Sequence, residues 1–119
     1  MVSIDRRVNP RIDSPNLMFF FCYDDSQNEI TQGMGRTINI SEGGMMFETH
    51  IPIDPQLTLS LTIALEDDLM DFKGRIIHSL KNSKGRFVFG IQFIEMDELK
   101  LRFLKQYLLI LKEQDNSSL

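Results

Sequence analysis

Five residues in two short stretches offer polar chemistry at regular spacing: Arg7 and Arg11 in "RRVNPR", and Asn39, Ser41 and Gly44 in "NISEGG". Arginine presents five donors in a planar fork that binds phosphate bidentately, pairs with O6 and N7 of guanine and stacks on flat rings. Lysine lacks that planar geometry, and the first stretch uses arginine alone. In the second stretch, an amide and a hydroxyl two residues apart face the same side of a strand. A glycine three residues after the serine lets another surface approach the backbone. The same letters also suit plainer roles. The arginines fit a solvated arm, and "SEGG" fits a hairpin turn with Ser41 and Glu42 in the bend and positive φ at Gly43–Gly44.

Catalysis is poorly supplied. His50 and His78 are not linked to Cys22 by any motif, and no Cys/His spacing fits a metal site. Asp67, Asp68 and Asp71 form an acidic cluster at a loop or strand edge, where carboxylates are ordinarily solvated, and His78 reads as an ordinary strand residue. No catalytic residue, metal ligand or cofactor is assigned.

The chain's 13 lysines and arginines stand against 17 aspartates and glutamates, a formal net charge of −4. That balance argues against general nucleic-acid binding, which leaves a basic footprint, so an anion must be met locally. The first twelve residues supply such a place, with Arg6, Arg7 and Arg11 against Asp5 alone. At 119 residues the chain suits one domain with a real core. A single cysteine forms no internal disulfide, the start "MVSIDRRVNP" holds no apolar leader, and the runs "LMFFFCY" and "YLLIL" are too short to span a bilayer. The expectation is a soluble cytoplasmic protein, and the Asn39-Ile40-Ser41 sequon is accordingly not read as a glycosylation site.

The elements that must position these residues follow from periodicity. Residues 1–16 read as an arginine-bearing arm, with Pro10 biasing Asn9 away from helix. "LMFFFCY", bounded by Pro15 and by Asp24–Asp25, fits a buried strand, and "GRTINI" and "GMMFET" flank the "SEGG" turn. In "QLTLSLTIAL", Leu57, Leu59, Leu61, Ile63 and Leu65 alternate with Thr58, Ser60 and Thr62. "MDFKGRIIHSL" and "RFVFGIQFIEM" are joined by "KNSKG", a hairpin turn. The period then changes, with Leu101, Leu104, Leu108 and Leu111 on one helical stripe widened by Phe103, Tyr107 and Ile110. The pattern predicts a mainly β, six-stranded antiparallel barrel over residues 17–113 closed by a C-terminal helix, with a frayed tail at 114–119. The wide stripe serves either the core or a dimer contact, so the expected state is a monomer or weak dimer.

Taken together, the two stretches resemble the pattern of the PilZ domain family, bacterial receptors for the second messenger cyclic di-GMP. That pattern is R-x-x-x-R followed, some 20–30 residues on, by [D/N]-x-S-x-x-G, and here Arg7 and Arg11 match the first half while Asn39, Ser41 and Gly44 match the second. "GRIIH" and "FGIQF" are similar to the later strands of that family, and the closing helix falls where its barrel is capped. The resemblance implies that Arg7 and Arg11 grip phosphate and the Hoogsteen edge of guanine. Asn39 and Ser41, on the barrel surface, bond a guanine edge or phosphate, and Gly44 leaves room for the base. Asn39 stands where many relatives have aspartate, so its bond to guanine carries no charge. Arg6, directly before the first motif, implies capture of two cyclic di-GMP molecules per chain. The resemblance further implies a non-enzymatic module whose arm orders on binding and whose altered surface is read by a protein partner, in motility or exopolysaccharide machinery. The alternatives are a PilZ-fold scaffold that binds no nucleotide and a small barrel for single-stranded nucleic acid. The second is disfavoured because most phenylalanines lie in apolar runs.

Overall fold

Alternation along the middle of the chain becomes a closed sheet. The computed structural model describes residues 12–13, 17–65 and 67–117. Its elements are β1 (Ile12–Asp13), β2 (Leu17–Tyr23), β3 (Glu29–Ile40), β4 (Gly44–Thr49), β5 (Thr58–Leu65), β6 (Asp68–Lys81), β7 (Phe87–Ile94) and α1 (Glu98–Ser117). All pairings are antiparallel. The order β3-β2-β5-β6-β7-β4 returns to β3, closing a six-stranded barrel, and the two-residue β1 lies outside that ring on β3. The ring closes over part of each long strand, and β3 before Arg36 and β6 before Lys73 run on with one partner strand each.

The inward faces pack as the periodicity predicts. Leu59, Leu61 and Ile63 of β5 join Phe20, Phe47, Phe72, Phe89 and Ile91 inside the barrel. Leu104, Tyr107 and Leu108 of α1 complete this core, with Phe103, Ile110 and Leu111 packed against it. The width of the helical stripe is therefore used within the chain. Asp97 caps the helix by accepting from the Lys100 N–H at 2.8 Å. Backbone helicity continues to Ser117, four residues past the Glu113 where the stripe gives out.

Two expectations need correction. The run "LMFFFCY" is not buried throughout: Met18, Phe20 and Cys22 point inward, while Leu17 and Phe19 are exposed. The glycines of "SEGG" do not adopt positive φ, whereas Gly85 in the "KNSKG" turn does, at 78°. That second hairpin turn forms as expected, with Asn82 Oδ1 accepting from the N–H groups of Lys84 and Arg86, each at 3.0 Å.

One buried charge ties the hairpins together. Glu48 of β4 is 7% exposed and accepts from Arg36 at 3.2 Å, from Arg86 at 3.4 Å and from the Asn82 amide. Burial alone would raise its pKa. The hydrogen bonds from Asn82 and Arg86 and the charges of Arg36 and Arg86 outweigh that, holding the carboxyl below its ordinary 4.5. A carboxyl depressed in this way stabilises the fold above its unfolded pKa and loses that contribution as pH falls through the folded one. Glu48→Gln is expected to lower stability at neutral pH by about 1–3 kcal/mol, or about 4–15 °C in melting temperature. The gap to the wild type should narrow below about pH 4, which thermal unfolding by circular dichroism across that range measures.

Candidate ligand-binding turn

The sequence places Asn39 near the end of β3, and the strand delivers it outward, half-buried beside Met46 of β4. Its Nδ2 donates to Met46 Sδ at 3.7 Å. On its other side runs β1, where Asp13 is the backbone partner of Asn39 and Ile12 that of Ile40. β1 thus sets the two residues that follow the first stretch beside the start of the second. Ile12 follows Arg11 directly in the chain, and Ile40 separates Asn39 from Ser41. Arg6, Arg7 and Arg11 themselves lie outside the described residues.

Ser41 departs from the expectation that it sits on the barrel surface. It is fully buried. β3 ends at Ile40, so the alternation that would have turned the side chain outward stops one residue short. The hydroxyl instead accepts from the Gly43 N–H at 3.2 Å and donates to the Gly44 carbonyl at 3.3 Å. The Ser41 N–H donates to the same carbonyl at 2.8 Å. Ser41 therefore shapes the turn from within.

Gly44 answers to a different neighbour than a ligand. A Cβ there would collide with the Ile91 carbonyl oxygen of β7 and lie 3.3 Å from the Gln92 Cα. The space that a side chain would need is filled by the strand that closes the barrel. Gly43 adds a further tie, its carbonyl accepting from the Phe93 N–H at 2.9 Å. The turn is thus pinned to β7 on one side and to its own serine on the other, leaving Asn39 as the outward-facing motif side chain among the described residues.

Sequence reasoning missed the charged neighbours of Asn39. Arg36 and Glu48 face each other across β3 and β4, one outward row from the Asn39–Met46 pair. Two arginines share the Glu48 carboxylate, so this trio carries one positive charge in excess. A β-bulge between Thr37 and Asn39 creates the pairing. Projected straight back from the turn, the register would set Glu48 opposite Thr37, and so the sequence alone gave no signal for it.

Catalytic alternatives find no geometry. Cys22 lies inside the barrel, where burial pushes its thiol up to about 11, so it stays protonated and unreactive. His50 and His78 are both exposed. Asp71 accepts a hydrogen bond from Thr62 at 2.7 Å on an exposed surface. Among the described residues, no three histidine, cysteine or carboxylate side chains group to hold a metal ion, and no helix is long and apolar enough to cross a membrane.

These contacts make the turn residues matter without any ligand. Ser41→Ala removes two buried hydrogen bonds and is expected to cost about 1–3 kcal/mol. Gly44→Ala forces β4 and β7 apart and should cost about 3 kcal/mol or more. Urea denaturation of the ligand-free variants measures both, and an unchanged midpoint for Ser41→Ala would contradict its structural role.

A PilZ domain model matches residues 5–109. Among proteins of curated function, none matches the chain by sequence. Solved structures with the same fold include the PilZ domain with c-di-GMP of YcgR from Escherichia coli, with 15% identity and a TM-score of 0.68 over 95% of this chain and 96% of that one. The MrkH–c-di-GMP complex of K. pneumonia shows 15% identity and a TM-score of 0.72 over 96% of this chain and 55% of its own. The Bacillus subtilis inhibitor of motility, MotI/DgrA, shows 14% identity and a TM-score of 0.64 over 89% of this chain and 51% of its own. The chain spans about half the length of MrkH and MotI/DgrA. With 105 of its 119 residues inside the matched region, this protein belongs to the PilZ domain family.

Proposed function

We propose that this chain is a cyclic di-GMP receptor without catalytic activity, and that the ligand bridges the N-terminal arginines and the β3–β4 turn. One observation carries the reading. β1 sets the residue after Arg11 beside the strand end that bears Asn39, which supports a site shared by two stretches whose motif residues Arg11 and Asn39 are 28 positions apart in the chain. The YcgR and MrkH structures named above, which share this fold, are both complexes with c-di-GMP.

In this proposal Arg7 and Arg11 supply paired N–H donors to phosphate and to the O6/N7 edge of guanine. Asn39 reads a guanine edge with its amide, as an uncharged acceptor and donor. Ser41 and Gly44 act by holding the turn that presents Asn39, consistent with the hydrogen bonds and close strand approach described for them. The positive excess at Arg36 and Arg86 favours an anion beside them. Charge-assisted bonds offset the ordering cost of the arm. The message then passes to a protein partner through the barrel face and through α1, which lies beside β1. Arg6 extends the arm's reach to a second ligand molecule, giving two per chain.

Isothermal titration calorimetry with cyclic di-GMP tests each part. Arg7→Ala and Arg11→Ala are each expected to weaken binding about 10- to 100-fold, and Asn39→Ala about 10-fold. The wild type should take two ligands per chain, and Arg6→Ala one. A folded wild type that gives no heat at any ligand concentration overturns the receptor reading and leaves a protein scaffold in its place.

A further inference from the structure

We infer that the tip of the β6–β7 hairpin is a docking surface for an acidic segment of a protein partner, one that carries a large apolar side chain among its carboxylates. From Phe72 to Ile94 the chain holds five lysines and arginines and no carboxylate. All 17 acidic residues therefore lie elsewhere, against the eight remaining basic ones. An acidic domain thus carries one hairpin of the opposite sign. Part of that charge is used within the chain. Lys73 pairs with Glu95 at 3.3 Å, and Arg86 shares Glu48 with Arg36. Asp54, on the loop beside the hairpin, accepts from the Gln56 N–H of its own turn at 2.9 Å. Among the described residues, no carboxylate pairs with Lys81 or Lys84. Lys84 stands on the turn that Asn82 holds through the N–H groups of Lys84 and Arg86, so its charge is presented from a fixed backbone.

Beside these cations the hairpin is apolar where a solvated one would be polar. Leu80 is 45% exposed. With Phe87 and Phe89 of β7, and with Pro52 and Ile53 of the loop after β4, it lines an open hollow of about 290 Å³. The two phenylalanine rings lie nearly parallel, their planes 11° apart. Lys81 stands opposite Phe87 in the register and holds its ammonium 5.6 Å from that ring. A cation on the rim of an apolar floor suits a ligand with two parts, an apolar group for the rings and a carboxylate for Lys81. Small-molecule sites occupy about 300–1,000 Å³ and enclose most of their ligand. This hollow is smaller and open, a shape that takes the end of one side chain from a longer segment. A long polyanion or an anionic bilayer would also meet the acidic remainder of the surface. A short acidic segment touches the hairpin alone.

Panning phage-displayed random dodecapeptides on the immobilised full chain tests this surface. Cyclic di-GMP is left out, so a failure here leaves the receptor reading to its own calorimetry. Enriched sequences are expected to set aspartate or glutamate beside leucine, phenylalanine or tryptophan. Synthetic peptides of those sequences should bind with a dissociation constant of about 10–100 µM by fluorescence anisotropy. Binding should weaken about 3-fold or more between about 50 and 500 mM salt. The double variant Lys81→Glu/Lys84→Glu should raise the constant at least about 10-fold, and Leu80→Ser about 5-fold. Circular dichroism checks that both variants fold, and Leu80→Ser serves alone should the double variant not. No enrichment, enriched peptides without an acidic excess, or peptides indifferent to both variants would overturn the proposal. Lysine-dependent binding of oligothymidylate, or of vesicles of equimolar phosphatidylglycerol and phosphatidylcholine, with no peptide selected, would overturn it in favour of nucleic acid or membrane.

Discussion

The barrel depends on one close approach. A six-stranded sheet closes only if β4, entering from a tight turn, reaches β7 while still paired to β3. At the first residue of β4 the two backbones come so near that any Cβ would strike the Ile91 carbonyl, and Gly44 is the residue that permits it. Everything downstream of that contact benefits. Met45 and Phe47 then fall into the core beside Ile91 and Phe89, and Glu48 falls outside, within reach of both arginines. Ser41 belongs to the same constraint, since its buried hydroxyl bonds set the path by which the chain arrives at Gly44. The motif that resembles a ligand signature is therefore first a closure device, and its exposed chemistry rests on that rigidity.

In the proposed site, a rigid turn supplies one half of the contact and the arginine-bearing segment the other. Asn39 is presented by backbone that is hydrogen-bonded on three sides, to β1, β4 and, through Gly43 and Gly44, to β7. Such a surface loses little entropy when a ligand arrives. The arginines are carried on the segment that enters through β1, whose only sheet partner among the described residues is the end of β3. α1 packs beside β1 and also inserts Leu104 and Tyr107 into the core, so one helix touches both.

Much of this was legible in the sequence, and the failures share a cause. The period of two in "QLTLSLTIAL" and the stripe from Leu101 to Leu111 translate directly into core, because burial follows regular geometry. What escaped is whatever breaks the period. The bulge between Thr37 and Asn39 moves Glu48 opposite Arg36, and another between Ile76 and His78 pushes Ile77 into solvent. Ser41 was read as part of the strand's outer face, but the strand stops at Ile40 and the turn draws the hydroxyl inward. In "LMFFFCY" the composition announces apolar surroundings on both faces, whereas the fold covers only one. The arginine pair was visible as letters, and β1 places only the two residues that follow it.

Overall acidity also finds a physical sense in this arrangement. A net charge of −4 spread over the domain repels a long polyanion, which must lie against much of the surface. A ligand with two phosphodiesters touches one small region, and charges beyond about 8–10 Å are largely screened from it at physiological salt. Two arginines share the Glu48 carboxylate on the outer face near Asn39, and in the proposed site the arm's Arg6, Arg7 and Arg11 add to them against Asp5, Asp13 and Glu42. Under the proposed function, the same molecule repels nucleic acid as a whole and admits a small dinucleotide at one turn. Locally basic and globally acidic is the charge pattern that separates a receptor for a nucleotide messenger from a protein that binds nucleic acid.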